Sequence, residues 1–124
     1  MDLSPRRFAD AVVVAPVGRI DQSRADDFQE ALAPHLAGCA AGRDRLILDL
    51  SGLQYISSAG LRVLMLAAKQ SKAQDGTLVL TGLQPLVREI FEISRFTLVF
   101  DIAPSLRDAI AKASPSALSA FEKA

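Results

Sequence analysis

The sequence predicts a single α/β domain in which a mixed β-sheet is packed by about four α-helices. Three observations carry that expectation. Short apolar runs of strand length, such as Val12-Val13-Val14 and Leu46 to Leu50, alternate with longer stretches whose apolar residues recur at helical spacing. Gly, Pro and Asp-Gly signals punctuate the joins between them. The resulting order, β-β-α-β-α-β-α-β-α, is that of a sheet largely parallel after its first strand, because helices must carry the chain back between parallel strands.

In order, Phe8 to Val17 reads as a strand pair hinged around Asp10, with β-prone Val12-Val13-Val14 and a Pro16 that suits a strand end. Gly18-Arg19-Ile20-Asp21 closes that strand. Ser23 is expected to cap a first helix, with Asp26 and Asp27 in its first turn, where the helix dipole favours acids. Ala25, Phe28, Leu32 and Leu36 form its buried stripe, Pro34 should bend or end it, and Gly38 stops it. Gly42-Arg43-Asp44 is a turn. Leu46 to Leu50, uninterrupted and bounded by turns, suits a central strand covered on both faces. A second helix spans Leu61 to about Lys72. Asp75-Gly76 turns the chain into the strand Thr77 to Thr81, ended by Gly82. Pro85 fits the first position of a third helix reaching Ile93, Thr97 to Phe100 reads as the last strand, and Pro104 opens a fourth helix. Its stripe is Leu106, Ala109, Ile110 and Ala113. The domain is expected over residues 1–113, with 114–124 as a tail or a short extra helix started by Pro115.

Composition narrows the function. At 124 residues, half of them hydrophobic and none Trp, the chain can build an aliphatic core of its own. Fourteen basic residues balance fourteen acidic ones, which leaves no global field for nucleic acid or an anionic membrane. Cys39 is alone and cannot form an intramolecular disulfide, which points to a reducing compartment. The first seven residues carry two arginines but no apolar core of a signal peptide, and Val12 to Val17 is too short to span a bilayer. The expected location is the cytoplasm, without membrane insertion. One Cys and one His, His35, cannot build a metal site or a catalytic triad, and phosphate-cradling and dinucleotide fingerprints are absent. Neither an enzyme, nor a cofactor, nor a metal is expected.

What remains is the junction Ser51 to Leu61, where the chain passes from strand to helix. Ser57 and Ser58 there can cap the helix, and the same free N–H groups favour a negative charge. On a helical wheel Ser58, Arg62, Leu66, Lys69 and Ala73 share one side, with Met65 at its margin, opposite Leu61, Leu64 and Ala68. The two cations mark that side as wet, so Met65 and Leu66 become the apolar centre of a candidate partner-binding face. Asp21 and Asp49, near strand ends, could lie close to the serines.

The run Leu46-Ile47-Leu48-Asp49-Leu50-Ser51-Gly52-Leu53-Gln54-Tyr55-Ile56-Ser57-Ser58-Ala59-Gly60-Leu61 resembles the STAS domain of bacterial anti-sigma factor antagonists. So do Gly18-Arg19-Ile20-Asp21 with Ala25 and Phe28, Leu83 to Ile93, and Phe100-Asp101-Ile102, and the resemblance covers roughly Phe8 to Ala113. It implies a STAS-like fold and a phosphorylation motif, usually Asp-Ser-Ser/Thr-Gly-Leu, whose acceptor falls on Ser58, with Ser57 as second choice. Gly60 and Leu61 match that motif, while Ser57 stands in place of the Asp and Ala59 in place of the second hydroxyl. Asp21 matches the acidic residue beside the acceptor. The implied activity is partner switching: the antagonist docks on an anti-sigma factor that is a serine kinase of the histidine-kinase-like ATPase fold, phosphorylation releases it, and a serine phosphatase restores it. The implied contact set is Asp21, Ser57, Ser58, Arg62, Met65, Leu66 and Lys69. The alternative is a STAS-type structural or regulatory subunit of a membrane transport complex, such as an ABC-type lipid transporter.

Overall fold

The computed structural model describes residues 1–124. Strand β1 (Arg6–Phe8) turns through Ala9 and Asp10 into β2 (Ala11–Val14), and the two pair antiparallel with Phe8 opposite Ala11. Ala9, at φ 53°, takes the left-handed conformation that the tight turn requires. Strands β4 (Arg45–Asp49), β6 (Leu78–Thr81) and β7 (Asp101–Ala103) add in parallel, giving the five-stranded order β1-β2-β4-β6-β7. The almost wholly apolar run that predicts a central strand is thus the middle strand of the sheet.

Helices cover both faces, and strand alternation decides which residues meet them. Val12, Val14, Leu46, Leu48 and Leu80 face α1 (Ala25–Ala37), α2 (Ser58–Ala73) and α3 (Pro85–Ile93). Phe28, Leu32, Leu64, Val87 and Phe91 complete this larger core and are wholly buried, each contributing roughly 1.5–3 kcal/mol of transfer free energy. Ala11, Val13, Ile47 and Val79 point the other way, onto α4 (Leu106–Ala113) and α5 (Pro115–Lys123). The tail is therefore helical. Ser114 caps α5 through Ala117 N–H and donates to Asp10 in the first hairpin, while Phe121 packs edge-on against Phe8 at 5.3 Å.

Several expectations need correction. Ser23 does not cap the first helix, which starts without a side-chain cap: Asp21 caps the 3₁₀ turn (Gln22–Arg24) that leads into it, accepting from Arg24 N–H, and Ser23 donates its hydroxyl to Asp21. Pro34 neither ends nor breaks α1, which continues one more turn to its cap at Gly38. Thr97 to Phe100 is not a strand. Arg95 at φ 60° ends α3, and a 3₁₀ turn (Phe96–Leu98) follows, because Phe96 and Phe100 turn inward onto Phe91 with ring centroids 5.9 and 6.0 Å away. Burying those rings outweighs the β-propensity of Thr97-Leu98-Val99, and the strand begins only at Asp101. Pro104 precedes α4 without opening it, since Ser105 caps that helix at Asp108 N–H.

The last difference lies at the junction. Gly18-Arg19-Ile20 does not close the preceding strand but forms β3 (Gly18–Ile20), which pairs in parallel with β5 (Leu53–Ile56) in a separate two-stranded sheet. Helix α2 starts at Ser58, three residues before Leu61. The small sheet is the base on which the first turn of α2 stands.

Candidate functional site

The N-terminus of α2 is built from the β3–β5 pair outward. Ile20 and Ile56, opposite one another in register, are buried below the helix. The ladder ends with Ser57 N–H donating to Ile20 C=O at 2.8 Å, which puts Asp21 and Ser57 side by side where the two strands end. Ser57 is still extended (φ −80°, ψ 171°), its carbonyl accepts the first helical bond from Leu61, and its hydroxyl accepts from Gly60 N–H at 3.2 Å. Ser57 is therefore the cap, and it is buried.

Gly60 is dictated by space. A Cβ at this position would lie 2.7 Å from Ile56 Cγ1 and 2.9 Å from Ile20 Cγ2, closer than any side chain tolerates. Only glycine lets the first turn of α2 rest directly on the two isoleucines.

Ser58 is the first helical residue and is exposed. Its hydroxyl has no partner within the chain, and the N–H groups of Ser58 and Ala59 are the two first-turn donors that the cap leaves free. Capping and exposure are thus divided between neighbours: Ser57 holds the helix, Ser58 faces solvent. Arg62, one turn on, is exposed and makes no ion pair, as do Lys69 and, without charge, Leu66 at 41 % exposure. Met65 is half-buried beside them, while Leu61 and Leu64 are in the core and Ala68 is half-buried. The seven residues of the expected contact set thus lie on one end and one face of α2, Asp21 included.

Asp21 is committed locally. Its carboxylate accepts the Ser23 hydroxyl at 2.7 Å and Arg24 N–H at 3.2 Å, and the Ser23 bond above all holds it below its ordinary value of 3.8. Asp49 accepts from Ser51 N–H at 3.1 Å and so caps the turn before β5.

Two features escape the sequence reading. Arg19 stacks on Tyr55, its guanidinium carbon 4.4 Å from the ring centroid, on the outward face of the small sheet next to the junction. Their pairing depends on the β3–β5 register, which shifts between Gly18 and Arg19 and leaves no local trace in the sequence. Leu98, at 81 % exposure, and Val99, at 47 %, project from the 3₁₀ turn after α3, where a strand reading hides them. No three His, Cys, Asp or Glu side chains gather as metal ligands, Cys39 is buried with its thiol donating to Thr77 C=O at 3.2 Å, and no helix is long and apolar enough to cross a membrane.

Residues 4–109 match the model of the STAS domain. The chain belongs to the STAS domain family. Among its relatives, BtrV of Bordetella bronchiseptica, a candidate anti-sigma factor antagonist, is 42 % identical over 118 residues, covering 95 % of this chain and 98 % of BtrV. A candidate anti-sigma factor antagonist from Thermotoga maritima superposes with a TM-score of 0.80 at 18 % identity, over 90 % of this chain and 93 % of that one. The phosphorylated form of the Bacillus cell fate determinant SpoIIAA superposes with a TM-score of 0.63 at 17 % identity, over 88 % and 96 % respectively. These two structures establish likeness of fold. In this STAS domain the strand-to-helix junction, the capped α2 and the exposed Ser58 form a single rigid unit, because Ser57 joins the β3–β5 ladder to the helix by backbone and side chain at once.

Proposed function

We propose that this STAS domain is an anti-sigma factor antagonist that docks through the N-terminal face of α2 and is switched off by phosphorylation of Ser58. The observation that carries this reading is the division of labour at the junction: Ser57 is buried as the cap, whereas the Ser58 hydroxyl is exposed and uncommitted at the same helix end. The relationship to BtrV, over nearly the full length of both chains, supports the antagonist class.

The partner is an anti-sigma factor that is itself a serine kinase of the histidine-kinase-like ATPase fold, with a serine phosphatase resetting the cycle. A phosphoryl group on Ser58 adds roughly −1.5 to −2 charges near neutral pH. In the free domain that charge meets the unpaired amides of Ser58 and Ala59, the positive end of the α2 dipole and the unpaired Arg62 one turn away. In a docked complex it would have to be desolvated against Met65 and Leu66. Phosphorylation then costs the fold little and the complex much.

The test is binding of Ser58→Ala and Ser58→Asp to the purified kinase-type anti-sigma factor by titration calorimetry. Ser58→Ala should bind like the parent and resist phosphorylation, and Ser58→Asp should bind about tenfold or more weakly. Undiminished binding by both would sink the switch.

A further inference from the structure

Beyond the α2 stripe lies a groove of about 640 Å³ between the C-terminal half of α2 and the 3₁₀ turn that follows α3. Met65, Ala68, Lys69 and Lys72 form one wall, and Leu98 and Val99 the other. Three features set this groove apart from an ordinary surface dip. First, Leu98 is the most exposed large apolar side chain of the molecule, at 81 %, and it does not hang from a loose loop. The turn that carries it rests on the mutually packed rings of Phe91, Phe96 and Phe100, and it is entered through left-handed Arg95, a conformation that a residue with a Cβ adopts at a cost. An apolar group held out in water on a rigid, strained base is what an interface anchor requires.

Second, the charge of the groove is unbalanced. Lys69 and Lys72 both line it and make no ion pair. Asp101, the one acid in the lining, is neutralised from outside by Lys112 at 3.3 Å. Third, Met65 and Lys69 belong both to the groove and to the α2 face headed by Ser58, so the two surfaces are continuous.

We propose that this groove is a second contact surface for the anti-sigma factor, taking an apolar side chain between Met65 and Leu98 while acidic residues flanking that side chain meet Lys69 and Lys72. The inference rests on the partner-switching reading and adds the chemistry of the partner segment: apolar, acidic and bound a full two turns of α2 away from Ser58. Contacts on Leu98 and Lys72, outside the α2 face that meets the phosphoryl group, would set the basal affinity that phosphorylation then lowers.

Leu98 and Lys72 lie in the groove and outside the α2 face, so they separate the two ideas. The parent, Leu98→Asp, Lys72→Glu and Arg62→Glu are titrated with the purified kinase-type anti-sigma factor at low and high salt, each first shown to be folded by circular dichroism. Leu98→Asp and Lys72→Glu should each bind about tenfold or more weakly, and the deficit of Lys72→Glu should shrink at high salt. Parent-like binding by both, with Arg62→Glu weakened, overturns the groove and leaves the switch standing. A parent chain that binds no anti-sigma factor removes both. If the parent is instead a dimer in light scattering and Leu98→Asp makes it a monomer, the occupant is a second copy and the proposal fails.

Discussion

Gly60→Ala sets two well-known effects against each other at one position. In a helix Ala is better than Gly by about 1 kcal/mol, so an unobstructed site would gain stability. Here the new methyl would sit 2.7 Å from Ile56 Cγ1 and 2.9 Å from Ile20 Cγ2. Those atoms cannot swing aside, because both isoleucines are buried, β-branched, and fixed in the β3–β5 pair. Overpacking of this kind costs about 1–3 kcal/mol, so the net effect is a loss of up to about 2 kcal/mol. With an unfolding entropy near 2.1 cal/mol/K per residue, a loss of about 1.5 kcal/mol lowers Tm by about 6 °C in a chain of 124 residues. Thermal unfolding followed by circular dichroism reads the shift directly. A double-mutant cycle with Ile56→Ala, which deletes the atom the methyl meets, should recover part of the cost. A rise in Tm for Gly60→Ala alone would refute the reasoning: helix propensity would have won, and the close seating of α2 on the small sheet would not restrict this position.

The cap can be tested beside it. Ser57→Ala removes the acceptor for Gly60 N–H at a site with little water to replace it, so urea unfolding should show a loss of about 1 kcal/mol, while Ser57→Asp, which can still cap, should stay within a few tenths of the parent. The acid side of the stability profile has its own signature. Asp44 is held below its ordinary value of 3.8, chiefly by its paired hydrogen bonds from Arg7 at 2.8 and 3.0 Å. A carboxylate lowered in the folded state contributes stability that is fully present above 3.8 and is lost as pH falls through the folded value. Asp44→Asn should therefore be less stable than the parent at neutral pH and converge on it in acid. Parallel curves down to low pH would show that the pair contributes nothing.

Legibility from sequence followed how local each signal was. Strand β4 could be read because Leu46 to Leu50 is almost wholly apolar and bounded by turns, and the solvent face of α2 because cations recur at Arg62 and Lys69. Strand β5 could not: Leu53-Gln54-Tyr55-Ile56 is short and follows Gly52, and its extended form comes from pairing with β3, more than thirty residues earlier. The turn at 96–98 failed for the opposite reason. Thr97-Leu98-Val99 carries a genuine β signal that two flanking phenylalanines override by going inward. Which of two adjacent serines caps the helix is also beyond a wheel or a propensity, since it depends on where one backbone torsion, ψ 171° at Ser57, gives way to helical values.

Under the proposed switch, that single torsion would have a functional consequence. Were Ser58 the cap, its hydroxyl would be tied to the backbone of its own first turn, and esterifying it would remove a hydrogen bond that the helix needs. With Ser57 in that role, a phosphoryl group on Ser58 would leave the Gly60 bond intact and add charge where two amides stand free. The folded state would then be nearly indifferent to modification, and almost all of the free-energy change would appear in the contact with a partner. A domain of this size has only about 5–15 kcal/mol of stability to lose. A switch that kept its acceptor separate from its cap could be cycled repeatedly without drawing on that margin. Serine at position 57, where the resemblance would put an acid, fits the same logic, for it keeps a capping oxygen and leaves Asp21 as the one carboxylate at the junction.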